Sequence, residues 1–112
     1  MNRDERQLLM TAAWLFMRHG RRDRALGVCE ALHEADPRDG VAATALAELL
    51  LANGDAVRAV EVLRSADIPS GLEHAEAVLE TRALRLSGRA AEAESRWRRY
   101  LESRKGAERK WL

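Results

Sequence analysis

The sequence predicts an all-α protein in which three tandem helical hairpins, about six helices, form a curved array. A glycine and, five positions later, an alanine each recur at a spacing of 34 residues, which is the length of one stacked helical hairpin. The composition agrees, because 46% of the residues are hydrophobic, 33% are charged and only two are proline. The recurring positions are Gly20, Gly54 and Gly88, and Ala25, Ala59 and Ala93.

Each recurring glycine is predicted to end the first helix of a hairpin, because glycine adopts the left-handed conformation of a helix C-terminus without steric cost. The alanine that follows is expected where the two helices of a hairpin cross closely. Pro37 and Pro69 stop the second helices of the first two hairpins. Ser70, with Glu73 three residues later, predicts a capping box for the fifth helix. The predicted helices span approximately 6–19, 22–35, 40–53, 56–66, 72–87 and 90–105, in a single domain 1–112 with repeats at about 6–39, 40–73 and 74–107.

Apolar residues occupy equivalent positions of the repeats, as a shared core requires. The third repeat departs from this pattern at Glu80 and Thr81, where tight helix packing is expected. The third hairpin is therefore predicted to pack loosely or to be completed by another chain. The equivalent core positions are Phe16, Leu50 and Leu84; Cys29, Leu63 and Trp97; and Leu32, Ala66 and Tyr100.

The 34-residue pattern resembles the tetratricopeptide repeat (TPR) family over about residues 6–107. Several short stretches are also similar to the TPR-like chaperones of type III secretion, most closely the YscY-type group. These stretches are Arg6-Gln7-Leu8-Leu9, Ala13-Trp14-Leu15, Gly20, Arg24-Ala25, Asp36-Pro37, Ser87-Gly88-Arg89, Ala93 and Tyr100-Leu101-Glu102.

The resemblance implies a cytoplasmic chaperone that keeps a small secreted partner of the YscX type soluble and then docks on the export gate. An obligate hetero-complex is expected, with self-association of the isolated chain. The needle-subunit chaperones of the YscG type share the fold and the size, so the partner could instead be a needle protein. A general TPR interaction adaptor is the third alternative.

In TPR arrays the ligand groove is lined by the first helix of each hairpin. The 34-residue spacing assigns the corresponding groove positions in the present sequence. The first helix is apolar around its circumference except at Thr11. Since Leu9, Ala13 and Phe16 already face the core, the remaining stripe belongs either to the core or to a partner, and both interpretations stay open here. The predicted partner-binding residues are Met10, Trp14, Met17, Arg18, Thr44, Glu48, Leu51, Val78, Arg82 and Arg85.

Catalysis, metals and cofactors are not expected. The three histidines are isolated and no metal-ligand spacing occurs. Cys29 falls on a buried repeat position, which favours a core role over a reactive thiol. The acidic pairs Glu73/Glu76 and Glu92/Glu94 are expected on solvent-exposed helix surfaces, where nothing shields them from water for acid–base catalysis.

The C-terminal part is basic, with seven Lys and Arg residues from Arg96 onward and Trp97, Tyr100 and Trp111 between them. This pattern suggests single-stranded nucleic acid as an alternative ligand. Because Trp97 and Tyr100 fall on core positions, a solvated helix face is predicted instead.

The single cysteine excludes an internal disulfide, and the N-terminal residues lack the order of a signal peptide. No apolar stretch is long enough to span a membrane, so a cytoplasmic location is predicted.

Overall fold

Six helices form the part of the chain that the structure, a computed structural model, describes, namely residues 1–110. Within that range the fold is an array of three TPR-like helical hairpins without strands, which confirms the predicted fold class. The helices are α1 (Arg3–Arg18), α2 (Arg22–Ala35), α3 (Gly40–Ala52), α4 (Ala56–Ser65), α5 (Glu73–Leu86) and α6 (Ala90–Arg109), and a short 3₁₀ turn (Ser70–Leu72) precedes α5.

The three periodic glycines make the same turn in each hairpin. Gly20 has a φ of +73°, and the corresponding angles at Gly54 and Gly88 are +82° and +81°. In the first turn the amide of Arg21 donates to the carbonyl of Phe16 at 2.7 Å, and the amide of Gly20 donates to Met17 at 3.2 Å. Both bonds recur one and two repeats later. This pair of bonds needs a left-handed residue at its centre, which is why glycine recurs there.

The periodic alanines are completely buried, each with 0% of its surface exposed. They face a core in which α3 is the central helix and Leu46 and Leu84 are among the largest fully buried side chains. A substitution of any of these alanines by a larger residue would push two helices apart. The complete burial of the three alanines is consistent with the predicted close crossing of the two helices in each hairpin.

The predicted capping box at the fifth helix is wrong. The amide of Leu72 donates to the carbonyl of Pro69 at 2.9 Å, so Ser70 lies inside the 3₁₀ turn and the α-helix begins only at Glu73. Side-chain caps occur elsewhere: Asp39 accepts from the amide of Ala42 at 3.2 Å. Asn2 and Asp55 cap α1 and α4 in the same way.

Helices that are neighbours in sequence pack on one another along the whole array. In addition α3 touches α5 directly, whereas the pairs α1 and α3, α2 and α4, and α4 and α6 make at most marginal contact. The second and third hairpins therefore bend toward the side that carries α3 and α5. The helix α1 packs mainly on α2, and its N-terminal turn is tied to the start of α3 by an ion pair between Arg6 and Asp39, Nε to Oδ2 2.6 Å.

Candidate binding surface

The stripe on α1 is partly open. Trp14 is 56% exposed, whereas Met10 and Met17 are half-buried. Met17 packs against the core cluster, so it shares its surface between the core and the outside. The guanidinium carbon of Arg18 lies 5.1 Å from the centroid of the Trp14 ring, a cation–π contact. Trp14, Met17 and Arg18 line one shallow, open depression.

The residues predicted on α3 are less accessible. Leu51 is only 9% exposed and lies in the core, which corrects its assignment to an open groove. The reason is that α3 is the central helix and is covered by α2, α4 and α5. Thr44 is half-buried, and its hydroxyl donates to the carbonyl of Gly40 at 2.7 Å. Glu48 is exposed.

The residues predicted on α5 lie together. Val78, Arg82 and Arg85 line one depression of about 170 Å³, with Thr81 and the ring of Trp97 as its other walls. The two arginines are exposed and Val78 is half-buried. The depression thus combines an apolar floor with two positive charges. Of the predicted residues, Trp14, Met17 and Arg18 thus share one depression, the α1 patch, and Val78, Arg82 and Arg85 share another, the α5 patch.

The two patches differ in chemistry because one repeat position carries three different side chains. Trp14, Glu48 and Arg82 are each 34 residues apart, and all three are exposed. The surface formed by the first helices accordingly changes from apolar on α1, through acidic on α3, to basic on α5. An amphipathic segment with an apolar end and an acidic end would match this order.

A buried charged cluster in the third hairpin was missed by the sequence reasoning. Glu76 and Glu80 are 7% and 5% exposed, so the expectation that Glu76 decorates a wet surface is wrong. Arg96 of α6 forms ion pairs with both, to Glu80 at 3.0 Å from Nε to Oε2. Arg64 of α4 reaches Glu80 at 3.2 Å. The signal in the sequence was the pair of glutamates one helical turn apart, at positions where the other repeats carry apolar residues.

Burial acts differently on the two carboxyl groups. It raises the pKa of Glu76 from 4.5 to about 7, helped by the adjacent carboxylate of Glu80 and opposed by Arg96. Burial alone would also raise the pKa of Glu80, but hydrogen bonds from Glu76, Arg96 and Arg64 lower it. Glu76 therefore keeps its proton to a higher pH than an ordinary glutamate, whereas Glu80 favours the ionised form.

Part of the basic end of the chain is engaged with the chain's own residues. The rings of Trp97 and Tyr100 are half-buried with centroids 5.3 Å apart. The Tyr100 hydroxyl lies 3.0 Å from Nδ1 of His74. Arg98 pairs with Glu94 of its own helix at 2.8 Å. Trp111, the third aromatic residue of the predicted basic end, lies outside the described residues.

The remaining chemical groups fit structural roles. Cys29 is fully buried, and burial raises the pKa of its thiol to about 11. Among residues 1–110, no group of three His, Cys, Asp or Glu side chains is arranged to hold a metal ion. None of the helices in the same range has the length and hydrophobicity needed to cross a membrane.

Comparison with known proteins agrees with the repeat frame. The profile of the family described as tetratricopeptide repeat matches residues 16–69, from the end of α1 to the start of the third hairpin. No curated protein sequence matches the chain. The described residues thus share the fold of tetratricopeptide repeats, in which stacked helical hairpins form extended binding surfaces.

Proposed function

We propose that the chain is a TPR-like chaperone that binds an apolar, helical segment of a protein partner on the surface formed by α1, α3 and α5. The binding site comprises the α1 patch and the α5 patch, with Thr44 and Glu48 of α3 between them. The activity is binding alone, with no catalytic step, metal or cofactor.

The observation that carries this proposal is the exposure of Trp14. A tryptophan in a helix of a small domain normally covers core, whereas 56% of this side chain remains accessible. A fully buried tryptophan removes about 200 Å² from water, so covering the exposed half of Trp14 would contribute about 2–3 kcal/mol. Met10 and Met17 flank it with flexible side chains that adapt to the shape of a ligand.

The resemblance to the YscY-type group supports a partner of the YscX type. The partner would be a small secreted protein of the YscX type, held soluble in the cytoplasm in an obligate hetero-complex and delivered to the export gate. A secreted subunit exposes apolar helices that otherwise self-associate, and an apolar patch rimmed by charges is suited to cover them. The α5 patch would pair with acidic residues of the same segment through Arg82 and Arg85.

The test is coexpression of the chain with a small secreted protein of the YscX type, followed by co-purification and determination of the stoichiometry. The wild-type chain is expected to form an equimolar complex, and Trp14→Glu is expected to abolish it. Val57→Glu is the matched control, because Val57 is 58% exposed but lies on α4, a second helix of its hairpin. This control should leave the complex intact.

Three outcomes would contradict the proposal or a part of it. An equal loss of binding in both variants, or retention in both, would exclude the Trp14 surface as the site. A complex with the needle subunit and not with the YscX-type protein would establish the needle-chaperone alternative. Loss of helix content in Trp14→Glu, measured by circular dichroism, would assign Trp14 to folding, and Arg82→Glu would then test the surface independently.

A further inference from the structure

The outer face of α1 carries a second apolar stripe that the proposed function does not use. Leu8 is 70% exposed and Leu15 is 43% exposed. The two leucines are seven residues apart, so they lie within about 20° of each other on a helix of 3.6 residues per turn. Their stripe is about 110° away from Trp14 around the helix axis. A ligand on the Trp14 surface would therefore leave both leucines uncovered.

The residues beside this stripe are acidic at the N-terminal end of α1 and basic at its C-terminal end. The first turn of α1 contains Asp4 and Glu5, and its last turn contains Arg18, followed by His19. Asp4 and Arg18 lie on one side of the leucine stripe, whereas Glu5 and His19 lie on the other side. A helix with such a pattern is complementary to itself when it is reversed, because each acidic end then meets a basic end.

We propose that two copies of the chain pair through this face, with their α1 helices antiparallel about a twofold axis that passes near Thr11 and Ala12. Leu8 of one copy then packs against Leu15 of the other. Asp4 lies opposite Arg18 of the second copy, displaced by one residue, about 1.5 Å along the helix. By the twofold symmetry every contact occurs twice, as in an isologous interface.

The charge pattern selects the antiparallel arrangement. In a parallel pair, Asp4 would face Asp4 of the second copy and Arg18 would face Arg18, which brings like charges together at both ends. Arg18 can reach the seam because its side chain is exposed and long, although it lies over the Trp14 ring in the single chain.

The expected affinity is low. One helix packed on one helix buries less than the standard interface of about 1,600 Å². The dimer should therefore be transient, with a dissociation constant of about 10 to 100 µM. The two leucines are separate from the Trp14 surface, and only Arg18 belongs to both sites. The leucine variants therefore test the dimer without changing the proposed chaperone site, so either proposal can fail without the other.

The experiment is sedimentation velocity of the purified full chain, without any partner, from about 5 to about 500 µM. The apparent mass is expected to rise from 12.6 kDa toward twice that value. The double variant Leu8→Gln/Leu15→Gln should raise the dissociation constant at least about tenfold. Leu86→Gln, which changes a leucine of 64% exposure on α5, is the matched control and should leave it unchanged.

The antiparallel register has its own test. Asp4→Arg and Arg18→Asp should each weaken the dimer, whereas the double reversal Asp4→Arg/Arg18→Asp should restore it, because the exchanged charges again meet across the twofold axis. Circular dichroism of each variant checks that α1 stays helical, since both reversals oppose the helix dipole. A chain that is monomeric at every concentration would overturn the proposal. So would a dimer that survives Leu8→Gln/Leu15→Gln, one that is lost only in Trp14→Gln, or a double reversal without rescue.

Discussion

Glu76 should make the stability of the protein fall as the pH rises. Its pKa is about 7 in the folded chain against an ordinary value of 4.5, so the folded state holds the proton more tightly than the unfolded state. The corresponding stability is fully present below pH 4.5 and is lost as the pH rises through about 7. Glu76→Gln removes this titration and keeps the size of the side chain.

The magnitude follows from the two pKa values. With a pKa of 4.5 in the unfolded chain and about 7 in the folded chain, the contribution of the proton to the free energy of unfolding differs by about 2–3 kcal/mol between about pH 5 and about pH 8. The free energy of unfolding of Glu76→Gln, relative to that of wild type, should therefore be higher at about pH 8 than at about pH 5 by this amount. The assay is urea unfolding followed by far-UV circular dichroism at both pH values.

Glu80→Gln is the matched variant and should behave in the opposite way. The lowered pKa of Glu80 contributes stability above the ordinary value of 4.5, which is lost as the pH falls through the folded value. Glu80→Gln should therefore lower the free energy of unfolding most at neutral pH and least in acid. If the difference in the free energy of unfolding between wild type and Glu76→Gln is equal at the two pH values, the reasoning is refuted.

Three further outcomes are expected. Gly40→Ala should lower the free energy of unfolding by at least about 3 kcal/mol, because the added Cβ would lie 2.1 Å from the carbonyl oxygen of Asp67. Gly27→Ala, in the exposed middle of α2 with no atom within 4 Å of the new Cβ, should instead raise it by about 1 kcal/mol. Urea titrations of both variants measure the two effects, and equal losses would contradict the packing argument. Cys29 should resist a thiol reagent in native protein at mildly alkaline pH and react on unfolding, because its pKa is about 11; rapid labelling of the native chain would show that the thiol is accessible.

The repeat frame could be predicted from the sequence because its signals are local. A left-handed turn needs glycine and a close crossing needs alanine, whatever the rest of the chain does. The spacing of Gly20, Gly54 and Gly88 therefore located all three hairpins, and helix boundaries differed by a few residues. The prediction failed at Ser70, because the bond from Leu72 to Pro69 forms a turn that competes with the capping box.

Only the tertiary structure decided which side chains remain accessible. Leu51 and Trp14 have equally good apolar patterns, but α3 is covered on several sides and α1 on one, so Leu51 is buried and Trp14 is open. Glu76 and Glu80 of α5 are charged and yet buried, because Arg96 of α6 and Arg64 of α4 form ion pairs with them. Their burial could not be predicted from the local sequence of α5. Local sequence thus determined the backbone, whereas the burial that tunes each side chain depended on neighbours distant along the chain.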